Sequence, residues 1–160
     1  MKRTILLVLA IAAAGMVATA GPATADPRSG VLHLTKDCSQ YHFEAGDFCT
    51  VTSSNLNAIQ PGSKIVYASA ANVALGVLDS DLVIDGPDNN TAFGHVLLHL
   101  KTLTGTVWLS GGTGVFTHFH AGPLAVACPA FPVCSWVGPY SFGPNNWGGR
   151  SNDLASVRAE

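Results

Sequence analysis

The sequence predicts an all-β domain, an antiparallel sandwich or barrel, behind an export signal. Three observations carry this. Between Leu32 and Phe142, short runs rich in Val, Ile, Leu, Thr and aromatic residues alternate apolar and polar side chains, the period of a half-buried strand. Clusters of Gly, Pro, Asn and Asp break the runs at roughly ten-residue spacing, as turns do in sandwiches and barrels. Helical periodicity is nearly absent, except in the tail SNDLASVRAE, where Ser151 or Asn152 is placed to cap a turn or two.

The N-terminus is justified first. Lys2 and Arg3 precede a long uncharged Leu/Ala/Val-rich run, and two A-x-A sites follow, Ala18-Thr19-Ala20 and Ala23-Thr24-Ala25. That is the layout of a secretory signal peptide over residues 1–25, and a secreted protein is expected (extracellular, or periplasmic where the host has an outer membrane). No cysteine lies near either site to take a lipid, and no second long apolar stretch occurs, so no membrane association is expected after cleavage. Of the eight Lys/Arg in the whole chain, cleavage removes two and no acid, leaving six against ten Asp/Glu, a formal charge of −4. This balance disfavours nucleic acid and anionic membrane surfaces, which reward clustered cations. Residues 26–30 form a lead-in, 31–143 one β domain, and 144–160 a short C-terminal tail.

All four cysteines, Cys38, Cys49, Cys128 and Cys134, follow the signal, and an even count in an exported chain reads as disulfides. Of three pairings, Cys38–Cys49 and Cys128–Cys134 are favoured, because each pair is close in sequence and flanks a turn-rich segment. Zinc is the rival reading, but no Cys-x2-Cys pair is present.

The strand candidates then run in order: FCTVTSSNL, SKIVYASA after the Pro61-Gly62 turn, SDLVIDG, TAFGHVLLHLK, TVWLS, the long run VFTHFHAGPLAVAC and SWVGPYSF. Alternation assigns faces. Val96, Leu98 and Leu100 share one side with Val107 and Leu109 if the two runs form a hairpin; His95, His99 and Trp108 then share the other. That second face is solvent, a subunit interface or a pocket wall.

The chemistry-bearing stretch is SGGTGVFTHFH, residues 110–120. It is no phosphate loop, because Val115 and Phe116 follow Gly114 where Lys and Ser/Thr are needed. Its glycines suit positive φ in a tight strand connection. His118 and His120, two apart on a strand, project from one face, and His95 and His99 form a second such pair. No carboxylate at i±2 completes either pair as a metal site, so no metal and no cofactor is expected. There is no Gly-x-Ser-x-Gly elbow, and pairing of all four cysteines removes a thiol nucleophile. Asp79, Asp81 and Asp85 crowd LDSDLVIDG, Asp81 being the acid entertained as a pocket residue.

The order GHVLLHLKTLTGTVWLSGGTGVFTHFHA followed by SWVGPYSF resembles the allene oxide cyclase and dirigent-like barrel superfamily, in which a Gly-Gly-(Thr/Ser)-Gly-x-Phe turn precedes a long strand. The sharpest match is Gly111 to Phe116, and the upstream pieces are similar to those of exported bacterial proteins with such a barrel. The resemblance implies a closed antiparallel β-barrel of about eight strands with an apolar lumen. It also implies a homo-oligomer, the plant members often being trimers. Those members steer an epoxide or a phenoxy radical pair by lumen shape and a few polar groups. The plant cyclase's lumen glutamate has no counterpart, since Glu44 lies in the Cys38–Cys49 segment and Glu160 is terminal.

The expected function is therefore a secreted, disulfide-stapled barrel that binds a small apolar or aromatic ligand, or a partner, without its own catalytic constellation. Asp81, His95, His99, Trp108, His118 and His120 are the candidate ligand contacts. The alternative is a cyclase- or dirigent-like isomerase with Asp81, His95 or His120 as polar guides in the lumen, and a weaker one is a histidine-rich metal binder.

Overall fold

The computed structural model describes residues 28–143. Eight antiparallel strands follow one another around a closed barrel: β1 (Ser29–Asp37), β2 (Phe48–Ser54), β3 (Lys64–Tyr67), β4 (Val77–Asp85), β5 (Thr91–His99), β6 (Thr104–Gly112), β7 (Phe119–Ala130) and β8 (Val133–Phe142). Each pairs with its neighbours in sequence, and β1 closes the ring against β8 along its whole length, from Ser29↔Ser141 to Asp37↔Val133. Closure leaves no free sheet edge. The all-β class and the eight-strand barrel are thus as expected. The signal peptide, the lead-in up to residue 27 and the tail with its helix-capping Ser151 and Asn152 lie outside the described residues. Among the described residues no helix is long and apolar enough to cross a membrane.

Alternation decides what fills the lumen. Leu32 and Leu34 of β1 with Cys38 just after it, Leu78, Leu82 and Ile84 of β4, Val107 and Leu109 of β6, and Cys134, Trp136 and Tyr140 of β8 are buried on one alternating face. Each fully buried aliphatic side chain contributes roughly 1.5–3 kcal/mol. The β5–β6 hairpin forms with Val96 opposite Val107, and Val96, Leu98 and Leu100 turn inward as alternation required.

The two ends differ. At one, the β2–β3 connection sends Leu56 and Ile59 into the barrel and the β6–β7 connection sends Phe116, all at most 1 % exposed. Phe116 meets Phe119 edge-to-face at 5.2 Å. The Gly-rich stretch belongs to this plug. Gly114 (φ +56°) opens a 3-10 turn, Gly114–Phe116, and a Cβ there would lie 1.8 Å from Asn90 Oδ1, the acceptor for Val115 N–H at 3.1 Å. A Cβ on Gly112 would lie 1.9 Å from the Thr91 carbonyl oxygen. The long strand expected from Val115 onward therefore begins only at Phe119. Phe116 and Phe119 are buried three residues apart, the spacing of a helical turn, where the alternation of VFTHFH suggested a strand.

At the other end both disulfides close the barrel. Cys38–Cys49 joins the end of β1 to the start of β2, and Cys128–Cys134 joins β7 to β8, the two favoured pairings. Such bonds suit an oxidising, non-cytoplasmic environment.

Candidate functional site

The disulfide end holds a cavity, and the charge in it comes from β1. In LHLTKDC the period-two face that buries Leu32, Leu34 and Cys38 also carries Lys36, which is 3 % exposed. Its Nζ donates to the Tyr67 hydroxyl and stands 4.3 Å above the Trp136 ring and 5.1 Å from the Tyr67 ring centroid. Cation–π contacts of this kind partly replace lost water. No carboxylate pairs with this amine among the described residues, where the ion pairs all involve His95. Desolvation consequently lowers the Lys36 pKa to about 7, and burial pushes the Tyr67 phenol up.

Tyr41, Phe43 and Asp47 belong to the loop spanned by Cys38–Cys49, which forms a lid. Tyr41 stacks on Tyr67 at 4.9 Å and on Phe43 at 5.2 Å. Burial, then the nearby Asp47 charge, pushes the Tyr41 phenol up to about 12. One carboxylate oxygen of Asp47 accepts the backbone N–H groups of His42 (2.6 Å) and Glu44 (2.9 Å), which holds the Asp47 carboxyl below its ordinary value. This fork and the Ala71 N–H donated to the Phe43 carbonyl hold Phe43 at φ +71°, where a bulky L residue is strained. The Phe43 ring thereby reaches the cavity rim.

Leu78, Val96, Leu98, Leu100, Leu103, Val126 and Phe131 complete the walls. As it stands, the cavity has room for about one or two water molecules. Two buried polar atoms on its walls have no hydrogen-bond partner, the Tyr41 hydroxyl and Trp136 Nε1. Leaving such a group unpaired costs about 1–3 kcal/mol.

The sequence-derived candidates lie elsewhere. Asp81, His95 and Trp108 form a cross-strand row on the outer face, Asp81↔His95 on β4–β5 and His95↔Trp108 on β5–β6. His95 Nδ1 lies 2.9 Å from Asp81 and Nε2 lies 3.0 Å from Asp79. The carboxylate partners thus come from the neighbouring strand, not from i±2. Because the ring nitrogens face opposite ways, the three side chains converge on no common point, and no metal-holding group of three occurs among the described residues. His99 is exposed near the end of β5. His118 is exposed in the turn before β7, so it does not share a strand face with His120. Trp108 and His120 do line one outer depression, with Gly122 and Pro123, which is broader than the cavity but shallow. It holds no buried unpartnered polar atom. Asp81, His95 and His120, entertained as lumen guides, therefore face away from the lumen.

Lys36, Tyr41, Tyr67 and Trp136 were missed, although a signal existed. Lys36 has the parity of Leu32 and Leu34, and Trp136 that of Cys134. Comparisons with family models, with curated proteins and with solved structures gave no match to the chain.

Proposed function

We propose that the protein is an exported barrel that binds a small apolar or aromatic ligand in the disulfide end of its lumen, without a catalytic constellation of its own. One observation carries this reading: Lys36, Tyr67 and the unpartnered Tyr41 hydroxyl and Trp136 indole all belong to residues that line one recessed, otherwise apolar cavity. Packed interiors normally leave neither space nor unpaired donors, and a few polar groups in an apolar concavity are the usual composition of a ligand site. The signal layout of residues 1–25 and the two disulfides support export. The closed eight-strand barrel with its Gly-rich turn between β6 and β7 supports the allene oxide cyclase and dirigent-like resemblance. An isomerase of that type would have to use Lys36, Tyr41 and Tyr67 as its lumen groups.

Thermal unfolding with benzyl alcohol and related small aromatics tests the binding reading. A melting temperature that climbs with ligand concentration, and a climb abolished by the cavity-filling Leu98→Phe, is expected. No climb with any apolar or aromatic compound would overturn it. Export is checked by N-terminal sequencing of the protein recovered outside the cytoplasm, with Asp26 expected first.

A further inference from the structure

We propose that the lumen ligand is a small aromatic monocarboxylate, its carboxylate set against Lys36 Nζ and the Tyr41 and Tyr67 hydroxyls, and that binding loads a proton onto Lys36. The proposal rests on the lumen-binding reading and names its ligand class.

The first ground is the donor set. Trp136 Nε1 can only donate, the Tyr41 hydroxyl has no partner, and Lys36 as an ammonium has donors beyond the one it gives the Tyr67 hydroxyl, whose own O–H faces Cys49 Sγ at 3.5 Å, so the head group that answers the open donors is an acceptor. The second is charge. The groups facing Lys36 are Tyr67 from β3, Trp136 and Cys134 from β8, and Tyr41 from the lid, while β4, β5 and β7 present aliphatic side chains and a half-cystine. Tyr41 and Tyr67 are the other titratable groups on the cavity wall, since its cysteines are bonded. Asp37 follows Lys36 on the opposite parity of β1 and accepts the Ser39 N–H, and the Asp47 carboxylate is engaged by lid backbone N–H groups. An ammonium buried without a counter-ion is costly, and removal from water lowers the Lys36 pKa to about 7. A carboxylate beside Nζ supplies the missing charge and draws a proton from the buffer onto the amine. The third ground is shape. Tyr41, Phe43, Tyr67 and Trp136 line the cavity with aromatic rings, and Phe43 and Phe131, 38 % and 46 % exposed, are the rings at its mouth that an entering aryl group would displace.

Isothermal titration with benzoate and with benzyl alcohol, in buffers of differing ionisation enthalpy, tests this. Benzoate should bind tighter than the alcohol and near pH 8 take up approaching one proton per site, with affinity falling about tenfold or more between about pH 6 and 9. Lys36→Met should weaken benzoate about tenfold or more while leaving the alcohol within about twofold. Tyr41→Phe, which keeps the ring, should weaken benzoate about fivefold. The buffer dependence and Tyr41→Phe stand as tests even if Lys36→Met fails to fold. Equal binding of both compounds without proton uptake would overturn the carboxylate proposal and leave the lumen-binding reading in place. Failure of both compounds to bind the unaltered protein would overturn the two together.

Discussion

The two ends of the barrel are built from the same kind of alternating strands and finish differently. One is stoppered by Leu56, Ile59 and Phe116, delivered by two connections and buried completely or nearly so. The other is fastened by two disulfides and keeps a cavity with a buried amine and two unpartnered donors. Well-packed apolar side chains at the first end exclude ligands and stabilise. At the second, covalent bonds offset what imperfect packing and a desolvated charge cost. The contrast is between a packed end and a recessed end that keeps a desolvated amine and two unpartnered donors.

Breaking the plug should have the largest effect. Phe116→Ala should lower stability by about 3–5 kcal/mol in denaturant melts while leaving binding of benzyl alcohol at the opposite end nearly unchanged. Replacing Cys38 and Cys49 together by Ala should cost about 3 kcal/mol by the chain-entropy estimate and, unlike Phe116→Ala, should weaken ligand binding, because the freed loop carries Tyr41 and Phe43.

Lys36→Met should act in the opposite direction, raising stability at and below neutral pH by about 2 kcal/mol. The pH dependence gives the sign. Lys36 keeps its proton up to about 10.5 when unfolded but only to about 7 when folded, so the unfolded chain holds more protons between these values. Stability should therefore rise with pH from about 7 to about 10, and Lys36→Met should flatten that rise. Above about 10 the sign reverses, because folded Tyr41 retains its phenolic proton to about 12 while the unfolded chain releases it. The smallest effect is expected on the outer face. His95→Ala breaks an exposed cluster with Asp79 and Asp81 and should change stability by less than about 0.5 kcal/mol.

The strand frame and the disulfides were more legible in sequence than the filling of either end. Strand alternation placed Val96, Leu98, Val107 and Leu109 inside, and the spacing of the cysteines gave both disulfides. The glycines of SGGTGVFTHFH marked a connection, but one that delivers Phe116 to the core through a short 3-10 turn, which a period-two reading mistakes for strand. The site was less legible because histidines and aspartates drew attention to the outer face, where alternation itself placed them. Lys36 was passed over because lysine is seldom buried, although its parity put it beside Leu34 and Cys38. The Asp79–His95–Asp81 contacts depend on β4–β5 register, and the lid on a loop conformation, neither of which has a local pattern.

The most direct measurement compares two indoles. Trp136 is wholly buried at the lumen cavity, and Trp108 is 44 % exposed on the outer face beside the His120 depression. In an NMR titration with benzyl alcohol followed at the assigned indole N–H resonances, the Trp136 signal should shift in proportion to occupancy while that of Trp108 stays in place. Movement of Trp108 with Trp136 unmoved would put the ligand on the outer face and contradict a binding site in the lumen.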